Sequence, residues 1–394
     1  MSIYDQFGVR TIINAKGSST RVSGGFLAPE VAAAITEAGQ YCVDMADLQS
    51  RASNTISEIT GAEAGIVTSG AAAALLLGTA ACVAGLDPSK MNRLPDTHGM
   101  RNEVIMVRSQ RNFYDHAVRT VGVKIVEVGL PDRYAGAGGR DAEAWEIGDA
   151  ITPQTAAILY VMNGNARPAL KEVVQVAHQA GVPVIVDAAA QLPPAGNLKR
   201  FIAEGADLVA FSGGKAISGP QGTGILCGKH DLIMSAILQN LDLDIDWEQW
   251  APPPFFIDKQ RLKGLPQHGV GRTCKVGKEQ IIGLLVALKA FVAESDDHRQ
   301  QRFGEIAKQL QRSIGTLKNA TVTYQDGLIP KLVVTVNANA PANARKVMLA
   351  MQNGNPSIIG DPSRVDQGQI GISPACLRPD DIDKLAARMR ELLG

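Results

Sequence analysis

This sequence of 394 residues is poor in cysteine and aromatic residues and carries no net charge. Its five cysteines are scattered without a CxxC spacing, which argues against zinc or a disulfide framework and favours reduced thiols in the cytoplasm. Lys+Arg and Asp+Glu are both 39, so no electrostatic signature of nucleic-acid or membrane binding is present. We therefore expect a cytoplasmic protein without a metal, nucleic-acid or membrane partner.

The chain also lacks several sequence signatures that would point to other classes. The richest apolar run, at 71–86, is too short for a membrane span and predicts a buried helix. The N-terminal segment has no basic start followed by an apolar region, so we expect no secretory signal. No strand-like run is followed by GxGxxG, which disfavours a nicotinamide-dependent oxidoreductase.

Between about residues 60 and 230, apolar runs of strand length alternate with amphipathic helical patterns. Runs that are apolar on both faces are typical of buried parallel strands, and the alternation predicts an α/β domain with a mainly parallel sheet. A long helical region and then a compact α+β pattern follow. We predict an N-terminal segment and large domain over 1–275, a linking helical region over 276–315 and a small α+β domain over 316–394. The clearest predicted strands lie within 64–70, 103–109, 156–164, 182–190 and 206–214.

Four polar segments each follow a predicted parallel strand, at the sheet edge where open α/β sheets bind ligands. The first is Ser69-Gly70-Ala71, before an alanine-rich helix. The free N–H groups at such a helix N-terminus suit a phosphate, although tight turns without a ligand are also common. The second follows the strand at 103–109 and ends in His116. It offers aromatic and imidazole faces for stacking on a cofactor ring, and a structural histidine is the alternative.

The other two segments carry an acid and a lysine. Asp187 follows the apolar run VPVIV, where a carboxylate is costly unless it meets a cation such as a protonated pyridine nitrogen. A helix N-cap is its alternative role. If that pyridine ring also carries a phenolic oxygen, the Gln191 side chain could donate a hydrogen bond to it. Ser212 opens a glycine turn that presents Lys215 partly desolvated, which lowers the pKa of the amine and frees it for Schiff-base chemistry; a solvated surface lysine is the alternative.

In this order, with Asp187 placed 28 residues before Lys215, the segments resemble fold-type-I enzymes, which have the aspartate-aminotransferase fold and use pyridoxal 5′-phosphate (PLP). Asp187…Gln191 and Ser212…Lys215 resemble the D-x-x-Q and S-x-x-K elements of the cysteine-desulfurase branch, with one extra residue before the glutamine. His116 falls where that branch places its ring-stacking histidine. The resemblance implies that Lys215 carries PLP as a Schiff base.

A closer resemblance, to the selenocysteine-synthase-like family and its D-glucosaminate-6-phosphate ammonia-lyase-like proteins, covers nearly the whole chain. It implies PLP and a homodimer or higher oligomer with sites at the interface, where Arg272 or Lys275 reaches a phosphate across the interface. The NAKG segment already begins at Asn14, and residues 371–374 lack the family's arginine, so we do not expect selenium transfer to seryl-tRNA. The similar stretches include YDQFGVRTIINAKGSSTRVSGG, ITGAEAGIVTSGAAAAL, FSGGKAISGPQGTGILCG and GVGRTCKVGKEQIIG.

The resemblance implies chemistry at Cα of a small polar amino acid or amino-sugar acid, with Lys215 as the acid/base. We expect a β-eliminating lyase. A racemase or epimerase is the alternative and needs a second acid, for which His116, Tyr114 and Cys274 are candidates. A non-catalytic PLP-binding protein is a second alternative function. The candidates for binding a substrate carboxylate or hydroxyl are Asn163, Arg167 and Arg364.

Overall fold

The computed structural model describes residues 2–130 and 141–394 of the chain. These residues form two compact units, a large one over 27–291 and a small one that combines 2–26 with 292–394. The strands are β1 Ile12–Asn14, β2 Ala64–Thr68, β3 Glu103–Val107, β4 Lys124–Val128, β5 Thr155–Val161, β6 Val184–Asp187, β7 Leu208–Ser212, β8 Gly224–Gly228, β9 Ala320–Gln325, β10 Lys331–Val336, β11 Ser357–Ile359 and β12 Gln369–Ile372. The helices are α1 Pro29–Ala38, α2 Met45–Thr60, α3 Ala71–Ala84, α4 Pro88–Arg93, α5 Asp115–Arg119, α6 Ala144–Asp149, α7 Leu170–Gln179, α8 Asn197–Ala203, α9 His230–Leu238, α10 Lys278–Ala293, α11 Asp296–Ile314, α12 Ala344–Asn353 and α13 Pro379–Leu393.

The sheet of the large unit has the order β2-β8-β7-β6-β5-β3-β4. The five strands from β7 to β4 pair in parallel, whereas β8 is antiparallel to both β7 and β2. Since β2 and β7 are both antiparallel to β8, they point the same way, and their carboxyl ends lie at one edge of the sheet. The predicted mainly parallel sheet and the five predicted strands are confirmed.

Both faces of the central strands of this sheet are buried, as their continuous apolar runs require. Along β7, Leu208 and Ala210 belong to one hydrophobic core, with residues of α3 and α9, while Val209 and Phe211 belong to the other, with residues of α2, α7 and α10. Helix α3 is the apolar run noted above and is buried along most of its length. It packs against β5, β6, β7 and β8, so its N-terminus is held firmly at the sheet edge.

The small unit contains an antiparallel sheet of β9, β10 and β12 and a parallel pair of β1 with β11. Its core includes Ile13 from the N-terminal segment, which explains why residues 2–26 belong here rather than to the large unit as we predicted. The predicted linking region is also divided. It consists of two helices, because the chain turns at Ser295, whose hydroxyl caps α11 by accepting from His298 N–H. The division between the units falls at Phe291, near the end of α10.

No helix within residues 2–130 and 141–394 is long and apolar enough to cross a membrane.

Candidate active site

The carboxyl ends of neighbouring strands bring the predicted acid and lysine segments together. Asp187 is the last residue of β6 and pairs with Ala210 of β7, two residues before Ser212. On the far side of β7, Ser212 pairs with Gly224 of β8, which pairs in turn with Thr68 of β2. Three of the four predicted segments therefore begin along one short length of the sheet edge.

Asp187 and Lys215 perturb each other electrostatically. The carboxyl of Asp187 is buried, with 8% of the residue exposed, and accepts a hydrogen bond from Ala189 N–H at 3.0 Å. Burial raises the pKa of Asp187, and this effect outweighs the opposing hydrogen bond and the nearby Lys215 charge. Burial likewise lowers the pKa of Lys215, although the Asp187 carboxylate acts in the opposite direction. The edge thus holds an acid and an amine that are both destabilised in their charged forms.

The turn that carries Lys215 has no room for side chains. A Cβ at Gly213 would lie 2.3 Å from Thr223 Oγ1, and one at Gly214 would lie 2.5 Å from the Gln221 carbonyl oxygen. The Gly213 N–H also donates to the Thr223 carbonyl at 2.9 Å. Glycines are therefore required for this turn to pack against the start of β8, and the packing fixes the position of Lys215.

The predicted phosphate turn is held by its own hydrogen bonds directly before α3. Gly70 is the N-cap of this helix at φ 92°, a conformation that favours glycine. The Thr68 hydroxyl donates to the Gly70 carbonyl at 2.9 Å, and Ala74 N–H makes the first helical hydrogen bond to the same carbonyl. The N–H groups of the first turn, beginning with Ala71, lie at the positive end of a long buried helix.

A basic loop is joined to this turn within the same chain. The Ser69 hydroxyl donates to the Cys274 carbonyl at 2.7 Å, so it contacts the short 3-10 helix over Val270–Cys274. Arg272 lies on this helix and donates to the Asp242 carboxylate at 3.0 Å, whereas Lys275 directly follows it and is exposed. Both predicted phosphate-binding cations therefore lie close in sequence to a contact with the chain's own turn.

His116 lies on the single-turn helix α5 and is exposed, as are Phe113 and Tyr114 before it. The start of this loop is fixed by Gln110, which is only 3% exposed. Its side-chain oxygen accepts from Val161 N–H at 2.9 Å, where β5 ends. The loop is thus anchored at the same edge of the sheet, and its aromatic and imidazole rings are accessible.

The remaining predicted residues occupy more varied places. The Gln191 amide donates to the Met162 carbonyl at 2.8 Å and so ties the loop after β6 to the loop after β5. Asn163 and Arg167 lie on that second loop and are exposed. Arg364 lies in the small unit, as the N-cap of the 3-10 helix over Val365–Gln367. No group of three or more His, Cys, Asp or Glu within the described ranges could hold a metal ion.

Sequence reasoning missed two groups of polar residues around these loops. Asp115 is buried at 5% exposure and receives hydrogen bonds from Arg111 and Arg119. Asn240 donates to the Gly271 and Cys274 carbonyls and so holds the basic loop. The i,i+4 spacing of Arg111, Asp115 and Arg119 was a visible signal for the first group. The contacts of Asn240 join residues more than thirty positions apart in the sequence, so no local pattern predicts them.

A buried acid, a half-buried amine and a helix N-terminus at one sheet edge fit a fold-type-I PLP enzyme, and the class-V aminotransferase family model matches residues 114–241. The chain is 30% identical to 5′-C-glycyluridine monooxygenase-decarboxylase from a Streptomyces species, over 99% of this chain and 92% of that protein. It is 28% identical to D-glucosaminate-6-phosphate ammonia lyase from Salmonella typhimurium, over 99% and 98%. A solved structure of a D-glucosaminate-6-phosphate ammonia-lyase matches with a TM-score of 0.80 at 28% identity, covering 100% of this chain and 98% of that one.

The chain belongs to the selenocysteine-synthase-like family of fold-type-I enzymes, which includes these proteins. An L-seryl-tRNA(Sec) selenium transferase from Solidesulfovibrio magneticus is 31% identical over 59% of this chain and 51% of its own length. The predicted family, fold class and PLP-dependent enzyme are thereby confirmed, and the family implies PLP as the cofactor. The ammonia-lyase relative supports the expected lyase, and none of the relatives named here is a racemase or epimerase.

Proposed function

We propose that this protein is a PLP-dependent lyase that removes the Cα proton of a small polar amino acid or amino-sugar acid and eliminates its β-substituent. The observation that carries this proposal is the electrostatic pair of Asp187 and Lys215 at the ends of adjacent strands. The ammonia-lyase relative, which matches this chain along its whole length, supports the same reaction class.

The residues of the edge fit the cofactor. The first turn of α3, from Gly70 and Ala71, suits a phosphate, because its backbone N–H groups lie at the N-terminus of a buried helix. Lys215 is the amine for the cofactor's aldehyde, and His116 is accessible to a ring face. Because burial raises the pKa of Asp187, its carboxylate needs a cationic partner to stay ionised, and a protonated pyridine nitrogen would be one. Bound there, PLP supplies an electron sink for a bond that breaks at the substrate Cα.

Lys215 performs the proton transfer in this proposal. Burial lowers the pKa of its amine, which increases the fraction that is uncharged near neutral pH and able to accept the Cα proton at Nζ. The glycine turn holds in place the backbone from which this side chain extends. Loss of the β-substituent then leaves an enamine, whose hydrolysis releases a 2-keto acid and ammonia.

The attachment site is tested by borohydride reduction of the reconstituted protein followed by peptide mass mapping. We expect the reduced cofactor on Lys215 and none after Lys215→Ala. Lys199→Ala, which removes an exposed lysine of α8, is the matched control and should label like the unchanged protein. Cofactor on another lysine would contradict the assignment.

The reaction is tested by product analysis in heavy water over a panel of D- and L-amino acids and amino-sugar acids. A 2-keto acid with ammonia supports the lyase. Deuterium at Cα with loss of optical activity and no keto acid would identify a racemase or epimerase instead.

A second candidate is an oxygen-dependent decarboxylase, because the relative with 30% identity is named a monooxygenase-decarboxylase and aligns with 99% of this chain. The same panel distinguishes it. Oxygen uptake with release of carbon dioxide would favour this reaction, whereas keto-acid formation that is unchanged without oxygen favours the lyase.

We also expect at least a homodimer, with Arg272 contributing to a phosphate site. Mixing Lys215→Ala with Arg272→Ala subunits tests whether Arg272 acts across an interface. Partial recovery of activity in the hybrids supports action in trans. No recovery despite subunit exchange would place Arg272 either in the site of its own chain, where Ser69 contacts its loop, or outside the site.

A further inference from the structure

The position of His116 depends on very little local structure. Helix α5 has five residues, and only Asp115 and Val118 in it are buried. A single turn is not stable by itself, because nucleating a helix costs more than one turn of hydrogen bonds returns. Since His116 is exposed, the contacts of its buried neighbours hold the backbone from which its ring extends.

Asp115 makes the strongest of these contacts. Its carboxylate accepts from Arg111 Nε at 2.5 Å through one oxygen and from Arg119 Nε at 3.1 Å through the other. Burial alone would raise the pKa of Asp115, but the two arginines outweigh burial and lower it, so the group is ionised at neutral pH. Charge-assisted bonds to both oxygens leave the carboxylate little freedom to rotate.

The ion pairs extend from α5 to two other segments. Arg111 also contacts Glu127 of β4, and Glu127 accepts from Arg108 Nε at 2.9 Å, in the turn that follows β3. Asp115 is therefore the buried end of a network that joins α5 to the edge strand β4 and to the turn after its neighbour β3.

We propose that Asp115 is a positioning residue that sets the orientation of His116 through its paired bonds to Arg111 and Arg119. This inference rests on the proposed function, because it takes His116 to contact the cofactor ring. The alternative is that the network only stabilises the fold, and the two roles make different predictions for the bound cofactor.

The test uses the reconstituted full chain and three variants: His116→Ala, Asp115→Asn and the double variant. The readouts are the visible circular dichroism of bound PLP, which reports the asymmetric surroundings of its ring, and the apparent PLP dissociation constant. We expect each single variant to diminish the visible signal and to weaken PLP binding roughly three- to tenfold, the range for losing one aromatic contact. The double variant should resemble His116→Ala, since Asp115 acts through a ring that is no longer there.

Two further variants keep the test decisive. Arg119→Gln removes one partner of Asp115 from a half-exposed position and should change the signal in the same direction, which covers the case that Asp115→Asn does not fold. Glu294→Gln removes a carboxylate that is also held by two arginines, but in the small unit, and should lower the melting temperature without altering the visible signal.

The outcomes separate this inference from the function it rests on. If His116→Ala leaves the cofactor signal unchanged, or no PLP binds, the ring contact of the proposed function fails. If His116→Ala changes the signal while neither Asp115→Asn nor Arg119→Gln does, the positioning role is overturned. Full additivity in the double variant would also overturn it, because Asp115 would then act independently of His116.

Discussion

Substituting Gly224 by alanine should disrupt the predicted phosphate turn from the side that faces β8. Gly224 begins β8 and pairs with both Thr68 and Ser212. A Cβ at this position would lie 2.4 Å from the Gly70 carbonyl carbon and 2.6 Å from Ala71 N. Both atoms belong to the backbone, so no side-chain rotation relieves the clash.

The size of the effect follows from these distances. Ordinary van der Waals contact for a Cβ begins at 3.4 Å, so the turn must move by about 1 Å. Such overpacking costs about 1–3 kcal/mol of folding free energy. A shift of that size is about twice the tolerance of a preorganised binding site. Losing one charge-assisted hydrogen bond to phosphate should weaken PLP binding about ten- to a hundredfold.

The assay is PLP titration by absorbance, with far-UV circular dichroism and melting temperature as measures of folding. Gly78→Ala is the matched control. Gly78 lies on α3, the helix that follows the turn, and its added Cβ would be 3.2 Å from Leu208 Cδ1, the end of a side chain that can move. We expect it to bind PLP like the unchanged protein. Unaltered PLP affinity in Gly224→Ala would refute the reasoning that this turn holds the phosphate.

Two other predictions concern buried ionisable groups. In the apoprotein the raised pKa of Asp187 means that its protonated form favours folding, and this contribution is lost as the pH rises through that pKa. Asp187→Asn should therefore stabilise the apoprotein at neutral pH, measured by urea unfolding, and yet lower turnover roughly a hundredfold because the charge at the pyridine nitrogen is gone; the assignment fails if turnover is unchanged. Burial raises the pKa of Cys227 to about 12, whereas Cys42 is exposed, so a thiol reagent should label Cys42 in the folded protein and Cys227 only after unfolding. Rapid labelling of Cys227 in the native state would contradict its burial.

The sequence was most informative where a short polar motif interrupts a strongly apolar run. Asp187 directly follows VPVIV and Ser212 directly follows DLVAF, so the apolar runs located the strands and the first polar residue after each run located the sheet edge.

Features that depend on distant contacts were not predictable in this way. The short segment Ile12–Asn14 becomes a strand only because it pairs with Ser357–Ile359, far along the chain. The reversal of β8 is equally hidden, because GILCG reads as a buried strand in either direction. β8 is antiparallel to β7 because the connection over 213–223 returns the chain directly beside β7.

The candidate site places ionisable groups where folding favours apolar ones, and this exception connects its structure to its chemistry. A buried carboxylate lies near a half-buried amine, and burial disfavours the charged form of both. Folding alone does not favour this arrangement, since an apolar pair in the same place would not carry the cost of desolvation. A bound group with a cationic ring nitrogen and a carbonyl carbon would satisfy Asp187 and Lys215 separately. The residues that are costly in the apoprotein are therefore the ones that a PLP-like ligand would stabilise, as expected for a preorganised site.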